Sequence, residues 1–365
     1  MRKWVLVTGA VVLQMAATAQ AADVWGLDRG TPELKSATCL AFGPDDILFV
    51  GDAKAATVYA IATGNKEGDA AKAQINIQDL DAALSETLGA TTVKVNDVAV
   101  NPDTGCAFLA VTADEKPCLV QVDSDGKRLT RMDLKDVRCA KVDLADAPED
   151  KVTGEGRRAR NNRGDSITDL AYFEGKLLVS GLSSSQSPSA LRELNFPFAA
   201  ADKGISVEIY HAAHGRSEDY AAMRTFVPMM IDGEPNILGA YVCTPLVRIP
   251  VKDLSAAGDK VKATTVAELG NRNQPLDMIT YEKNGQEFLL LSNSARGVMK
   301  ITTAGLRSNK GLTEPVKGGG TAGQSYESVD SFQGVAQMDK LNETSALILA
   351  QAESGKLSLK TIALP

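Results

Sequence analysis

The chain has 365 residues, a formal net charge of −7, and 44% hydrophobic but only 5% aromatic residues. An acidic protein repels nucleic acid and anionic lipid, which leaves small cationic or neutral molecules, a metal ion or a protein partner as the expected ligands. The scarcity of aromatics argues against a sugar-stacking platform, and no apolar run reaches the roughly 20 residues that a membrane helix needs.

The first residues, MRKWVLVTGAVVLQMAATAQA, place Arg2 and Lys3 before an apolar run and end on Ala19-Gln20-Ala21. That is the pattern of a secretory signal peptide over residues 1–21. Cleavage after it leaves residues 22–365, with a net charge of −9 once Arg2 and Lys3 are gone, in the periplasm or secreted.

Six copies of one pattern follow, starting near residues 38, 96, 168, 225, 276 and 333. Each is a short apolar strand, a turn, a second strand, a polar turn and a third strand, as in TCLAFGPDDILFVGDAKAATVYAIAT and NDVAVNPDTGCAFLAVTADEKPCLVQV. Short strands at a near-constant period, separated by Asp, Gly and Asn turns, indicate antiparallel blades. The expected fold is all-β, a single six-bladed β-propeller domain, or seven blades if one copy is degenerate, and a monomer. Only DLDAALSETLGA, near 80–90, reads as a helix. The 72-residue gap between the second and third copies is explained by a polar insertion loop at 141–166, rich in arginine and a candidate lid. The last copy ends after its third strand, so the N-terminal ADVWGLDRG is expected to supply a fourth and close the ring.

Aligning the copies stacks Cys39, Asp97, Asp169, Asp277 and Gly334 at one place on the innermost strand. Three acids around the axis are either a hard-cation site, for which Ca²⁺ takes six to eight oxygens, or turn residues that cap backbone N–H groups. Asn96 adjoins them, and turns on the same face bring Cys243 and Arg296 as further ligand-binding candidates. The chain's only two histidines fall in YHAAHGRSEDY, ahead of the fourth copy. His211, His214 and Glu218 offer two imidazoles and a carboxylate for a transition metal or for acid–base work, with Arg216 beside them; the alternative is a structural polar loop. Five cysteines leave at least one unpaired; Cys118 with Cys139 is the expected disulfide.

The repeats NDVAVNPDTGCAFLAV and ITDLAYFEGKLLVSG resemble those of the broad group of six-bladed propellers that includes NHL-repeat, YVTN-type and lactonase-like proteins. The lactonase-like members imply a central Ca²⁺ held by Glu, Asn and Asp with an acid–base group activating water. Asn96, Asp97, Asp169 and Asp277 would supply part of that shell, and Cys39 stands where the resemblance places the axial Glu. Three functions stay open: a binding module for a small molecule or protein partner at its top face and channel, a metal-dependent hydrolase, and a metal-handling or redox-partner protein. Whether the chain is an enzyme is left undecided.

Overall fold

The structure is a computed structural model that describes residues 25–156, 159–201, 203–256 and 258–365. The expected signal peptide lies outside these residues, as do Arg157 and Arg158 of the insertion. Among the described residues no helix is long and apolar enough to cross a membrane.

Six sheets carry the fold, antiparallel throughout except where Lys260–Lys262 pairs parallel with Ile205–His211. The innermost strands are Cys39–Phe42, Val93–Val100, Asp169–Phe173, Thr225–Ile231, Pro275–Lys283 and Val335–Lys340, one for each copy of the repeat. The second strands are buried through most of their length, and Ile47–Asp52 (ILFVGD) throughout. They read as continuous apolar runs because both faces of a blade pack against neighbouring blades. The blades form a six-bladed β-propeller, and the expected helix is present as Leu80–Leu88, capped by the Asp79 side chain and ended by Gly89 in the left-handed region.

The core is divided into six clusters, each filling one junction between blades. Phe49 and Val58 of blade one pack on Leu177 and Val179 of blade three. Leu48 and Val50 of blade one pack on Phe108 and Leu119 of blade two. Leu109 and Val111 of blade two meet Leu347 and Leu349 of blade six. The remaining clusters join blades three to four, four to five and five to six. Blades therefore run around the ring in the order 2–1–3–4–5–6, with the first two copies exchanged relative to the sequence. The same order is given by the neighbours of the innermost strands.

This exchange corrects the expected closure. The outer strand of blade six is Asn76–Ile77, paired with Lys360 and Leu359, and it comes from the segment between blades one and two. The N-terminal strand Asp28–Gly30 instead lies outermost on blade one, against Val137–Asp143. That last strand reaches blade one only after the chain has completed blade two. An edge position accepts whichever short segment passes it with free N–H and C=O groups, so the apolar pattern cannot say which one does. The polar insertion likewise begins later than expected, since Lys141–Asp143 belongs to the blade-one strand. Asp146 then anchors the insertion on the buried Arg192, at 2.9 Å.

The expected disulfide is also corrected. All five cysteines are free. Cys118 packs in the core between blades two and six, while Cys139, carried away on the crossing strand, packs between blades one and two.

Candidate functional site

The aligned aspartates line one end of the central channel and share a single geometry. Asp97 accepts the N–H of Val98, its chain neighbour, at 2.8 Å and that of Leu40 in blade one at 2.6 Å. Asp169 accepts those of Leu170 and of Phe226 in blade four, and Asp277 those of Met278 and of Met338 in blade six. A fourth clamp, Asp339 on Lys340 and on Val100 of blade two, was not found by the alignment, which placed Gly334 at this position. Each carboxylate uses one oxygen for its own strand and one for the next blade. Four of the six junctions are tied in this way, while blades one and four carry Cys39 and Thr225 at the corresponding place.

Desolvation raises these carboxyls: Asp169 and Asp339 are pushed up to about 6, and Asp97 and Asp277 lie well above the usual range, Asp97 further raised by the charges of Asp169 and Asp339 and Asp277 by those of Asp97 and Asp169. Burial, then Asp169 and Asp97, also pushes the Cys39 thiol up, so it stays protonated and is a poor nucleophile. Among the described residues Asp97, Asp169 and Asp277 do not form a set of ligand atoms close enough to share one ion, which favours capping over the Ca²⁺ reading.

Above the clamps opens a cavity of about 520 Å³, lined by Asp97, Asp169, Asp277, Asn96, Thr38, Gln274 and others. Asn96 donates to the Ala37 carbonyl and to Thr112. Four cationic side chains also line it: Lys35, Lys54, Lys94 and Arg224. Arg224 pairs with Asp165 at 2.7 Å. No carboxylate lies within ion-pair distance of the three lysines among the described residues.

The histidines lie elsewhere. Ile205–His211 and Arg216–Glu218 form a hairpin at the outer side of blade three, with His211 opposite Arg216 and Glu218 opposite Ile209. The turn closes through the N–H of Gly215 on the His211 carbonyl, and Gly215 holds φ +66, a conformation that favours glycine. The hairpin packs on the outer strand Thr264–Leu269 of blade four: Thr265 donates to the Tyr210 carbonyl and Ala213 N–H to Glu268. None of His211, His214 and Glu218 lines the channel cavity. The histidine hairpin and the channel cavity are therefore separate places in the fold.

Within the cleft, Glu218 is the hub. Its Oε2 accepts from His211 Nδ1 at 2.9 Å, and its Oε1 from His214 Nδ1 at 2.8 Å and Arg216 Nε at 3.0 Å. Burial works to raise its pKa, but the bonds from the two imidazoles, Tyr220 and Arg216 outweigh it and hold the carboxyl at about 2. An ionised carboxylate only accepts, so each Nδ1 carries a proton and Nε2 is the ring nitrogen left free of Glu218. Burial lowers the His211 pKa and keeps that ring neutral. Glu268, fully buried, is pushed up to about 7 by desolvation.

No protein-family model matches the chain, and no curated protein does. Solved structures are similar to it at low identity and low TM-score. They include a chain of the mitotic checkpoint complex (9% identity, 93% of this chain and 92% of that one covered, TM-score 0.41). Others are a putative 6-phosphogluconolactonase from Bacteroides uniformis (11%, 88% and 76%, 0.35) and the Cps50 (Swd1) β-propeller domain from Myceliophteria thermophila (12%, 90% and 84%, 0.37). Similarity at this level carries no activity to this chain.

The two remaining candidates sit apart from both groups. Cys243 occupies the turn between Glu234–Ala240 and Pro245–Pro250 at φ +66 and donates its N–H to Asn273. Arg296 lies in a turn of blade five, donating to the Asn271 carbonyl. Sequence reasoning missed the lysines, which carry no periodic signal, and Glu268. A lone acid in the apolar strand TTVAEL was the available sign of the latter.

Proposed function

We propose that this chain is an exported binding protein whose channel mouth takes a small polar anion, such as a carboxylate. The observation that carries this reading is the set of Lys35, Lys54 and Lys94, unpaired at the wall of one cavity, in a chain of net charge −7. Overall charge suggests that anions are repelled, but screening beyond about 8 Å at physiological salt makes the local cations decide. Thr38, Asn96, Thr112 and Gln274 in the same lining, which also holds Glu115, offer hydroxyl and amide partners for orienting such a molecule. The clamping aspartates spend their oxygens on backbone N–H groups and hold the floor of the cavity together. A hydrolase in which His211 or His214 serves a cation held by the aspartates finds no support, because the histidines do not line this cavity.

The test is a thermal-shift screen at low salt with mono- and dicarboxylates and inorganic phosphate. A ligand at about a hundred times its Kd adds about 2.7 kcal/mol of stability. Saturable stabilisation that is lost in the triple variant Lys35→Gln/Lys54→Gln/Lys94→Gln supports the proposal. Stabilisation equal in the variant, or absent with every anion, overturns it.

A further inference from the structure

The cleft between blades three and four contains two polar atoms that the fold leaves unpartnered. His211 Nε2 and Glu268 Oε1 are both buried without a hydrogen bond, and they face each other 4.0 Å apart. His211 is 4% exposed and Glu268 0%. Leaving two such atoms buried and unpaired costs the desolvation of each, so a fold that sets them face to face has a reason to do so.

The gap is too long for a direct hydrogen bond, and two metal–ligand bonds of about 2.0–2.2 Å span it with a small inward movement. A second imidazole adjoins the gap: the His214 ring lies beside that of His211, 3.9 Å apart centroid to centroid. His211, His214 and Glu218 are also the set of potential ligand residues whose atoms lie within 4.8 Å of one another among the described residues. Glu218, however, has both oxygens committed to the two Nδ1 atoms and Arg216. Its position is the one that an orienting carboxylate takes behind ligating histidines, where it fixes the tautomer and aims Nε2 at the ion.

We propose that His211 and His214, through Nε2, and Glu268, through Oε1, hold a divalent transition-metal ion, with Glu218 as the residue that positions both imidazoles. Two nitrogens and one carboxylate suit Zn²⁺, Co²⁺, Ni²⁺ or Cu²⁺ rather than Ca²⁺ or Mg²⁺, which take oxygen ligands. The side chain of His214 is 45% exposed, which gives the ion a way in from solvent and leaves room for a water or an exogenous ligand on it. The site joins the hairpin of blade three to the outer strand of blade four, so an ion bound there ties the two blades together. It is independent of the channel mouth and stands or falls apart from the anion reading.

The experiment uses the purified, untagged protein after dialysis against EDTA. Titration with Co²⁺ is followed by visible d–d absorption, with Zn²⁺ as competitor. One equivalent with nitrogen–oxygen ligand-field bands is expected. His214→Ala removes a half-exposed ligand with little risk to folding, and Glu268→Gln keeps the shape of the buried one; each should weaken binding about a hundredfold. Glu218→Gln, acting through the imidazoles, should weaken it about 10- to 100-fold. The triple lysine variant should bind the metal as the parent does. Absence of a one-equivalent site in the folded parent protein, with a water bridging the 4.0 Å gap instead, overturns the proposal. So does binding unchanged in both His214→Ala and Glu268→Gln.

Discussion

Asp97, half-buried on the channel wall, and Glu218, buried beside the two histidines, respond in opposite directions. The Asp97 carboxyl is raised well above its usual range, by desolvation first and then by the charge of Asp169. Glu218 is held at about 2 although burial pushes against it, because two imidazoles and a guanidinium donate to it. Glu268 sharpens the contrast: a neighbour of the same cleft, it receives backbone N–H groups and is pushed up to about 7. Where the donors are neutral backbone amides, as at the aspartates, a carboxylate serves as a clamp between strands. Where the donors are ring nitrogens, it organises chemistry on their far side.

Four measurements bear on this contrast. The largest effect is expected from Asp97→Ala, which leaves the N–H groups of the buried Leu40 and Val98 without acceptors at the junction of blades one and two. A loss of about 2–5 kcal/mol in urea unfolding follows, with Asp97→Asn milder because one oxygen remains. A cost no greater than that of His214→Ala would remove the distinction between clamp and site.

Next comes the pH dependence. Asp169 and Asp339, at about 6 in the folded protein, bind protons more tightly there than in the unfolded chain, whose carboxyls titrate near 3.8. Their contribution is full below that value and is lost as pH rises through about 6. Asp169 faces Arg224 and Thr225, which lower it, and stands near Cys39 and Asp97, on which its charge acts. Melting temperature should therefore fall between pH 5 and 7, on the order of the roughly 1.4 kcal/mol per pKa unit that linkage sets as its scale. In Asp339→Asn that slope should be shallower; an identical slope would assign it to other groups.

Glu218→Gln should cost about 1–2 kcal/mol, since an amide has one accepting oxygen for two imidazole N–H groups. With two histidines in the chain, ring ¹⁵N spectra can follow the change directly. Both rings are Nδ1-protonated in the parent, and at least one should lose that preference in the variant. The smallest effect belongs to His214→Ala, expected within about 1 kcal/mol of the parent in thermal unfolding because the side chain is half-exposed.

The blades were legible because each strand needs apolar residues on both faces, and segments such as ILFVGD and TVYAIA can meet that need in few other folds. The helix at Leu80–Leu88 was legible from its own Asp and Gly ends. Asp97, Asp169 and Asp277 were correctly placed together on the channel. Their bonds across blades were not readable, since a capping Asp and a metal-binding Asp present the same letter. Asp339 escaped because its clamp sits farther along its strand than the aligned position. Cys118 and Cys139 were matched on the assumption that the chain stays within blade two, which the crossing strand Val137–Asp143 breaks.

By itself, then, the sequence determined the local elements, their apolar faces and six copies of the repeat, because those depend on residues near one another in the chain; that each copy is one blade of six came from the structure. The order of blades one and two, the choice of Asn76–Ile77 to complete blade six, and the separation of the histidines from the aspartates were decided only by tertiary structure. Each depends on which edge a short strand meets, and every edge offers the same backbone groups. The meeting of His211 with Glu268, 57 residues apart in the chain, is of the same kind: local rules place each on its own strand, and only the packing of blade three on blade four brings them face to face.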